Sequence, residues 1–246
     1  MADGFTTYQY GTEESQCVDL YRPDSAKTCK GLICLIHGGY WRYPHSKEQM
    51  NAIANSLRDD GYYVWNIEYR RVRERDGGWP NTFEDVVAAV NFISQLSLPI
   101  PLNVQIVGHS AGGHLALWLG YQQKFLKVRL DRIYALAPVV DLVASHRAQL
   151  GEDAVGQLLK TTPEQDLSRY QSFSPIDLLP NNVPQIVIHG DSDEYVDVAE
   201  THKYMEKARN LKCDVRYTEI RQGMHLDFLD PHTQSTLSLF NFLKEA

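Results

Sequence analysis

The sequence predicts an α/β protein with an eight-stranded, mostly parallel sheet and helices on both faces. Three observations carry that expectation. Short apolar runs alternate with segments of helical spacing, the pattern of strand and crossover helix. The runs are continuously apolar, as in Gly31-Leu32-Ile33-Cys34-Leu35-Ile36, which suits strands covered on both faces. One of them, Val104-Gln105-Ile106-Val107, leads through Gly108-His109-Ser110-Ala111-Gly112 into an apolar helical pattern at 114–121. That is a sharp strand-to-helix turn with a serine at its apex.

The elements follow in order. Residues 5–10 and 15–21 read as a hairpin around the turn-like Gly11-Thr12-Glu13-Glu14, and 24–27 as a polar loop. The buried run at 31–36 ends in His37-Gly38-Gly39-Tyr40-Trp41. Residues 46–57 have helical spacing, with Met50, Ile53, Ala54 and Leu57 on one face, Ser46 as N-cap and Gly61 as stop. A strand at 62–69 leads to the charged stretch 70–78, expected to be a solvated loop. One of its arginines (Arg70, Arg71, Arg73, Arg75) could meet a substrate carboxylate. Asn81 or Thr82 caps a helix to about residue 96, with Phe83, Val86, Val87, Val90 and Ile93 inward, and Pro99 and Pro101 break the chain before the central strand. Further strands are expected at 132–137, 185–189 and 214–220, and helices at 198–211 and 233–243. The stretch 141–180 is too long for a simple connection. Its weakly helical pieces at 154–160 and 163–170 suggest a small lid-like insertion, or else helices that merely cover the sheet. With no linker, repeat or shift in composition, 1–246 reads as a single domain.

Composition narrows the function classes. Of the 246 residues 43% are hydrophobic and 22% charged, the balance of a soluble globular chain, and no apolar run approaches the length of a membrane span. A net charge of −7 argues against nucleic acid or an anionic membrane as partner. Met1-Ala2-Asp3-Gly4 leads into no basic and apolar leader. Cys17, Cys29, Cys34 and Cys213 form no C-x-x-C pair, so neither zinc nor a disulfide framework is expected, and a reducing cytoplasm is the economical location. Cys34 and Cys213 lie in strand-like runs as small apolar residues.

The serine turn carries the chemistry. Small residues two positions either side of Ser110 let strand and helix approach, and the hydroxyl emerges at a helix N-terminus, where developing negative charge is favoured. A serine needs a base, and the base an acid to hold its tautomer. His225, in Gly223-Met224-His225 after the last strand, stands at the sheet edge where the serine emerges. Asp191, Asp193, Glu194 and Asp197 compete for the acid. Asp193 is favoured, because Asp197 serves as the next helix cap and Asp191 as a turn residue. Ser110, Asp193, His225 is the chain order expected of such a hydrolase. Backbone N–H groups of Gly39 and Tyr40, with that of Ala111, are the oxyanion candidates. Tyr40, Trp41 and Trp79 lie on loops at the same edge and are expected to line the substrate pocket, Trp41 and Trp79 foremost, the alternative being that they pack beneath the loops. The chemistry calls for no metal and no organic cofactor.

His37-Gly38-Gly39-Tyr40-Trp41 and Gly108-His109-Ser110-Ala111-Gly112-Gly113-His114-Leu115 together resemble the α/β-hydrolase superfamily, in its esterase/lipase branch. The resemblance spans nearly the whole chain. The first motif is similar to that of kynurenine formamidases (arylformamidases), and the second is shared more widely among esterases. Hormone-sensitive-lipase-like esterases usually have a third glycine where this chain has Tyr40, and an N-terminal cap that this chain is too short at its start to supply. Those departures favour the formamidase-like or small bacterial carboxylesterase group. Glu68-Tyr69-Arg70-Arg71 and Gly77-Gly78-Trp79-Pro80 also look like that group, in structural and site-wall roles. The resemblance implies a carboxylesterase working through an acyl-enzyme, with an arylformamidase as the alternative and a non-catalytic binding module behind both. The expected partner is a small ester or amide, with a homodimer left open.

Overall fold

In the computed structural model, residues 4–99 and 103–245 are described. The polar turn at 11–14 reverses the chain between β1 (Phe5–Gln9) and β2 (Cys17–Tyr21), which pair antiparallel with Phe5 opposite Tyr21. The later strands are β3 (Leu32–Ile36), β4 (Tyr63–Ile67), β5 (Asn103–His109), β6 (Arg129–Leu136), β7 (Gln185–Gly190) and the half-buried edge strand β8 (Val215–Ile220). Their order is β1-β2-β4-β3-β5-β6-β7-β8. The two pairings that involve β2 are antiparallel and the five that join β4 through β8 are parallel. The eight strands and the mostly parallel sheet are as the sequence predicts.

Because successive side chains point to opposite faces, β3 feeds two cores. Leu32, Cys34 and Ile36 join the larger, with Phe83 and Val86 of α2 (Asn81–Phe92), Leu115 of α3 (Ala111–Gly120) and Tyr204 of α8 (Val198–Asn210). Ile33 and Leu35 join the smaller, with Ile53 and Leu57 of α1 (Asn51–Asp59) and Leu239 and Leu243 of α9 (Gln234–Lys244). Between β6 and β7 stand four short helices, α4 (Leu142–Arg147), α5 (Ala154–Leu159), α6 (Leu167–Phe173) and α7 (Pro175–Leu178). Among the described residues no helix is long and apolar enough to cross a membrane.

Three local expectations are corrected. The helix read from residue 46 begins as a 3₁₀ turn, Lys47–Met50, before α1, and the Ser46 hydroxyl donates to Glu48 instead of capping. Pro80, not Asn81 or Thr82, occupies the cap of α2; the Thr82 hydroxyl accepts from the Gly78 N–H and donates to the Arg70 carbonyl. The stretch 70–78 is not simply solvated. Arg70 grips Asp85 through Nε (2.8 Å) and Nη2 (2.7 Å), and Arg71 is buried between Glu68 and Glu74, so two of the four arginines are spoken for internally. The expected break at Pro101 lies outside the described residues.

Candidate active site

The turn after β5 explains its own composition. A Cβ on Gly112 would stand 2.1 Å from the Ile36 carbonyl oxygen, and one on Gly108 2.1 Å from that of Gly112. Only glycine lets α3 rise this close to β3 and β5. The chain reverses at Ser110 with φ 57° and ψ −120°, in the left-handed half of backbone space that L-residues avoid. Its N–H donates to the Leu136 carbonyl (2.8 Å), which locks the apex to β6.

The loops after β7 and β8 meet beside this turn. A Cβ at Gly190 would lie 2.1 Å from the Gly223 carbonyl oxygen, and the Gln222 N–H donates to Asp191 (2.6 Å). Asp193 and His225 are thereby brought together, with the His225 Nδ1–H donating to Asp193 Oδ2 at 2.7 Å. The same oxygen accepts from His189 Nε2–H at 3.0 Å, while Oδ1 accepts the N–H groups of Tyr195 and Val196 at 2.8 Å each. Burial would raise the Asp193 carboxyl, but the donors, His189 and His225 foremost, outweigh it and hold the group well below the usual carboxylate range. With Nδ1 committed to Asp193, Nε2 is the ring nitrogen of His225 left for chemistry. His109, the residue before the serine, donates from Nε2–H to the His225 carbonyl (3.0 Å), and burial and the neighbouring His225 push its pKa down to about 3. Asp197 accepts from the Ala199 N–H as the cap of α8, as expected.

The glycine-rich loop comes within van der Waals reach of the serine: a Cβ on Gly38 would stand 2.9 Å from Ser110 Cβ. Three residues in a row have positive φ, Gly39 (95°), Tyr40 (57°) and Trp41 (55°). Among the described residues the N–H groups of Gly39, Tyr40 and Ala111 donate to no protein acceptor. The His37 ring sits beneath this loop. Its Nδ1 lies 2.8 Å from the Gly38 carbonyl oxygen and its Nε2 2.8 Å from Glu68 Oε1, and it stacks on Tyr69 at 4.4 Å. In a planar trans peptide the C=O and the following N–H point opposite ways, so the hold on the Gly38 oxygen turns the Gly39 N–H away from His37. Glu68 is kept in place by the Lys47 N–H (3.1 Å) and Arg71 Nη1 (3.2 Å).

Trp41 is not a pocket wall. It is fully buried, with its indole N–H donating to the Ala111 carbonyl (3.1 Å) and its ring edge-on to His114, so it packs beneath its loop, the alternative reading. Trp79 is half-buried against the core with the Arg169 guanidinium 3.8 Å over its ring. A cavity of about 330 Å³ beside the Asp193 loop is lined by Tyr40, Ser145, Gln149, Gly151, Glu194 and Tyr195 among others, and Ser110, Asp193 and His225 are not among its lining residues. Tyr195 lies 5.2 Å from the His225 ring, and burial, then Tyr195 and Asp193, raise the Tyr40 hydroxyl. Arg42 ties the glycine-rich loop to α5 and the segment before it, with Nη1 on the Gly151 carbonyl, Nη2 on that of Glu152 (2.9 Å) and Nε on Gln157 (3.0 Å). Reading from sequence did not single out His189, His37 or Arg42. The first two end strands, each immediately before a glycine, and that placement was their only signal.

Comparison with known proteins agrees with the fold. A family model described as BD-FAE matches residues 18–208. Kynurenine formamidase of Danio rerio is 24% identical over 233 residues, 90% of this chain and 74% of that protein. Esterase LipC of Mycobacterium tuberculosis is 23% identical over 252 residues, 90% of this chain and 59% of that protein. A truncated form of a carbohydrate esterase from gut microbiota superposes with a TM-score of 0.83 at 21% identity, covering 100% of this chain and 98% of the other.

Proposed function

The chain belongs to the BD-FAE family, and from that premise we propose that it is a serine carboxylesterase acting on small esters through an acyl-enzyme. The observation that carries this reading is the buried Asp193–His225 pair beside a strained serine turn, near which the N–H groups of Gly39, Tyr40 and Ala111 have no protein acceptor among the described residues. His225 Nε2 takes the Ser110 proton as Oγ attacks the ester carbonyl. The N–H groups of Ala111 and of Gly39 or Tyr40 receive the oxyanion. His225 then returns the proton to the leaving alcohol, and water, activated by the same nitrogen, frees the acid and restores Ser110. No step calls on a metal or organic cofactor.

The helices between β6 and β7 serve in this reading as a lid-like cover for the cavity, within a single domain. A cytoplasmic location and a monomer or homodimer belong to the same proposal; light scattering reads the second. The relatives named kynurenine formamidase support the alternative, an arylformamidase that removes formyl from an aromatic amine. Turnover of a short-chain p-nitrophenyl ester series beside N-formylkynurenine, with Ser110→Ala as blank, tests both. Ester turnover alone supports the carboxylesterase, a preference for the formyl amide by orders of magnitude in kcat/KM selects the formamidase, and silence above the blank overturns both.

A further inference from the structure

Asp193 carries a donor that a serine, a histidine and an aspartate do not require. Its Oδ2 accepts from His225 Nδ1 at 2.7 Å and again from His189 Nε2 at 3.0 Å. His189 is fully buried at the end of β7, and so is its other partner, Thr201 of α8, whose Oγ1 lies 2.9 Å from His189 Nδ1. Nε2 faces two oxygens that carry no proton, Asp193 Oδ2 and the Val196 carbonyl at 3.1 Å. It must therefore hold the ring proton, and in the neutral ring Nδ1 can only accept. The Thr201 hydroxyl is the donor placed to satisfy it.

We propose that Thr201 and His189 form a positioning relay: Thr201, donating to Nδ1, holds the His189 ring, and the Nε2–H so aimed locks the Asp193 carboxylate in the plane that His225 needs. This rests on the hydrolase reading above. With Thr201 intact, Asp193 receives four donors, two on each oxygen, and cannot rotate without breaking one. Without the Thr201 hydroxyl, the buried Nδ1 loses its donor, and the His189 ring, whose proton the two oxygens keep at Nε2, is free to tilt. The Nε2–H then leaves its line to Oδ2, and the Asp193 carboxylate is free to turn from His225. A ring held by an outer hydrogen bond is a familiar way to orient the group in contact with the chemistry. The groups that face the Asp193–His225 pair are His189 from the end of β7, Tyr195 from the Asp193 loop, His109 from the end of β5 and Tyr40 from the glycine-rich loop. Thr201 touches none of the reacting atoms, so it is a positioning residue.

The test is Thr201→Val, nearly isosteric, with Thr201→Ser as the conservative rescue. Imidazole nitrogen shifts of ¹⁵N-histidine-labelled protein read the tautomers directly. The wild type and Thr201→Ser should show His189 protonated at Nε2 alone with Nδ1 shifted as an accepting nitrogen, and Thr201→Val should keep the Nε2 proton and lose that shift at Nδ1. On p-nitrophenyl butyrate, Thr201→Val should lose about tenfold to a hundredfold in kcat with KM within about twofold, and Thr201→Ser should recover most of it. The relay is overturned if wild-type His189 is protonated at Nδ1, or if Thr201→Val keeps full kcat. A wild type with no turnover above the Ser110→Ala blank refutes the hydrolase reading instead, and the tautomer measurement then decides the relay alone. Because wild-type protein suffices for that measurement, a Thr201→Val chain that fails to fold does not shield the proposal.

Discussion

At Ser110 the fold and the chemistry pull in opposite directions. A non-glycine residue at φ 57° and ψ −120° costs about 1–3 kcal/mol, and the hydrogen bond from its N–H to Leu136 helps to hold it there. Replacement by glycine removes the strain, less the extra entropy that glycine loses on folding. Ser110→Gly should therefore be more stable than Ser110→Ala by about 1 kcal/mol, a rise of about 2–4 °C in Tm, with both inactive. Calorimetry of the two variants checks this, and equal Tm values would mean the turn is unstrained. Gly38 makes a different demand. Its missing side chain leaves room for Ser110 Cβ and the His109 carbonyl, each 2.9 Å from where a Cβ would be. Gly38→Ala should push the donors off the serine and lower kcat by about 10²–10³. Full activity in that variant would remove the 37–41 loop from the mechanism.

Among the elements, strands were the most legible, because a two-sided parallel sheet writes itself as short, wholly apolar runs. The helix starts were less so. At 46–50 the chain takes a 3₁₀ turn whose Lys47 side chain and N–H are drawn to Asp19 and Glu68, contacts between distant segments that no local cap signal announces. Trp41 was misread for a similar reason. Tyr40 and Trp41 both have positive φ, which sequence does not reveal for aromatic residues, and the reversal sends the Trp41 indole inward to Ala111. Of the site, the serine, acid and histidine were legible from their places after β5, β7 and β8, whereas His189, His37 and Arg42 act through partners 12, 31 and about 110 residues away. Arg42 offers a test at this scale. It holds the segment at 151–157 by three hydrogen bonds, and Arg42→Ala should loosen the helices between β6 and β7. Limited proteolysis should cut within about residues 148–160 faster than in the wild type, and an unchanged cleavage pattern would show that packing alone holds the cover.

For the molecule as a whole, the distribution of buried histidines sets its response to acid. His114 is buried between Trp41 and Phe83 and donates from Nε2 to the Phe173 carbonyl, and burial pushes its pKa down to about 4; His109, under burial and beside His225, lies near 3. In the unfolded chain both titrate near 6.5. Between those values the unfolded state binds more protons than the folded state, so stability is complete above about pH 6.5 and falls as the pH drops toward 4. Each such histidine steepens the fall by up to about 1.4 kcal/mol per pH unit. The lowered Asp193 carboxyl adds its loss only under more acidic conditions, as the pH passes below the ordinary carboxylate range, so a window from 4.5 to 6.5 reports mainly on histidine. His114→Gln keeps a donor for Phe173 but cannot titrate. Denaturant unfolding should find it weaker than the wild type at pH 7 by about 1–3 kcal/mol, through lost packing against Trp41 and Phe83. The gap should narrow steadily toward pH 4.5, as the wild type gives up what its neutral histidine contributes. Two stability curves that run parallel over that window would mean that the His114 site accepts a proton in the folded state as readily as in the unfolded chain.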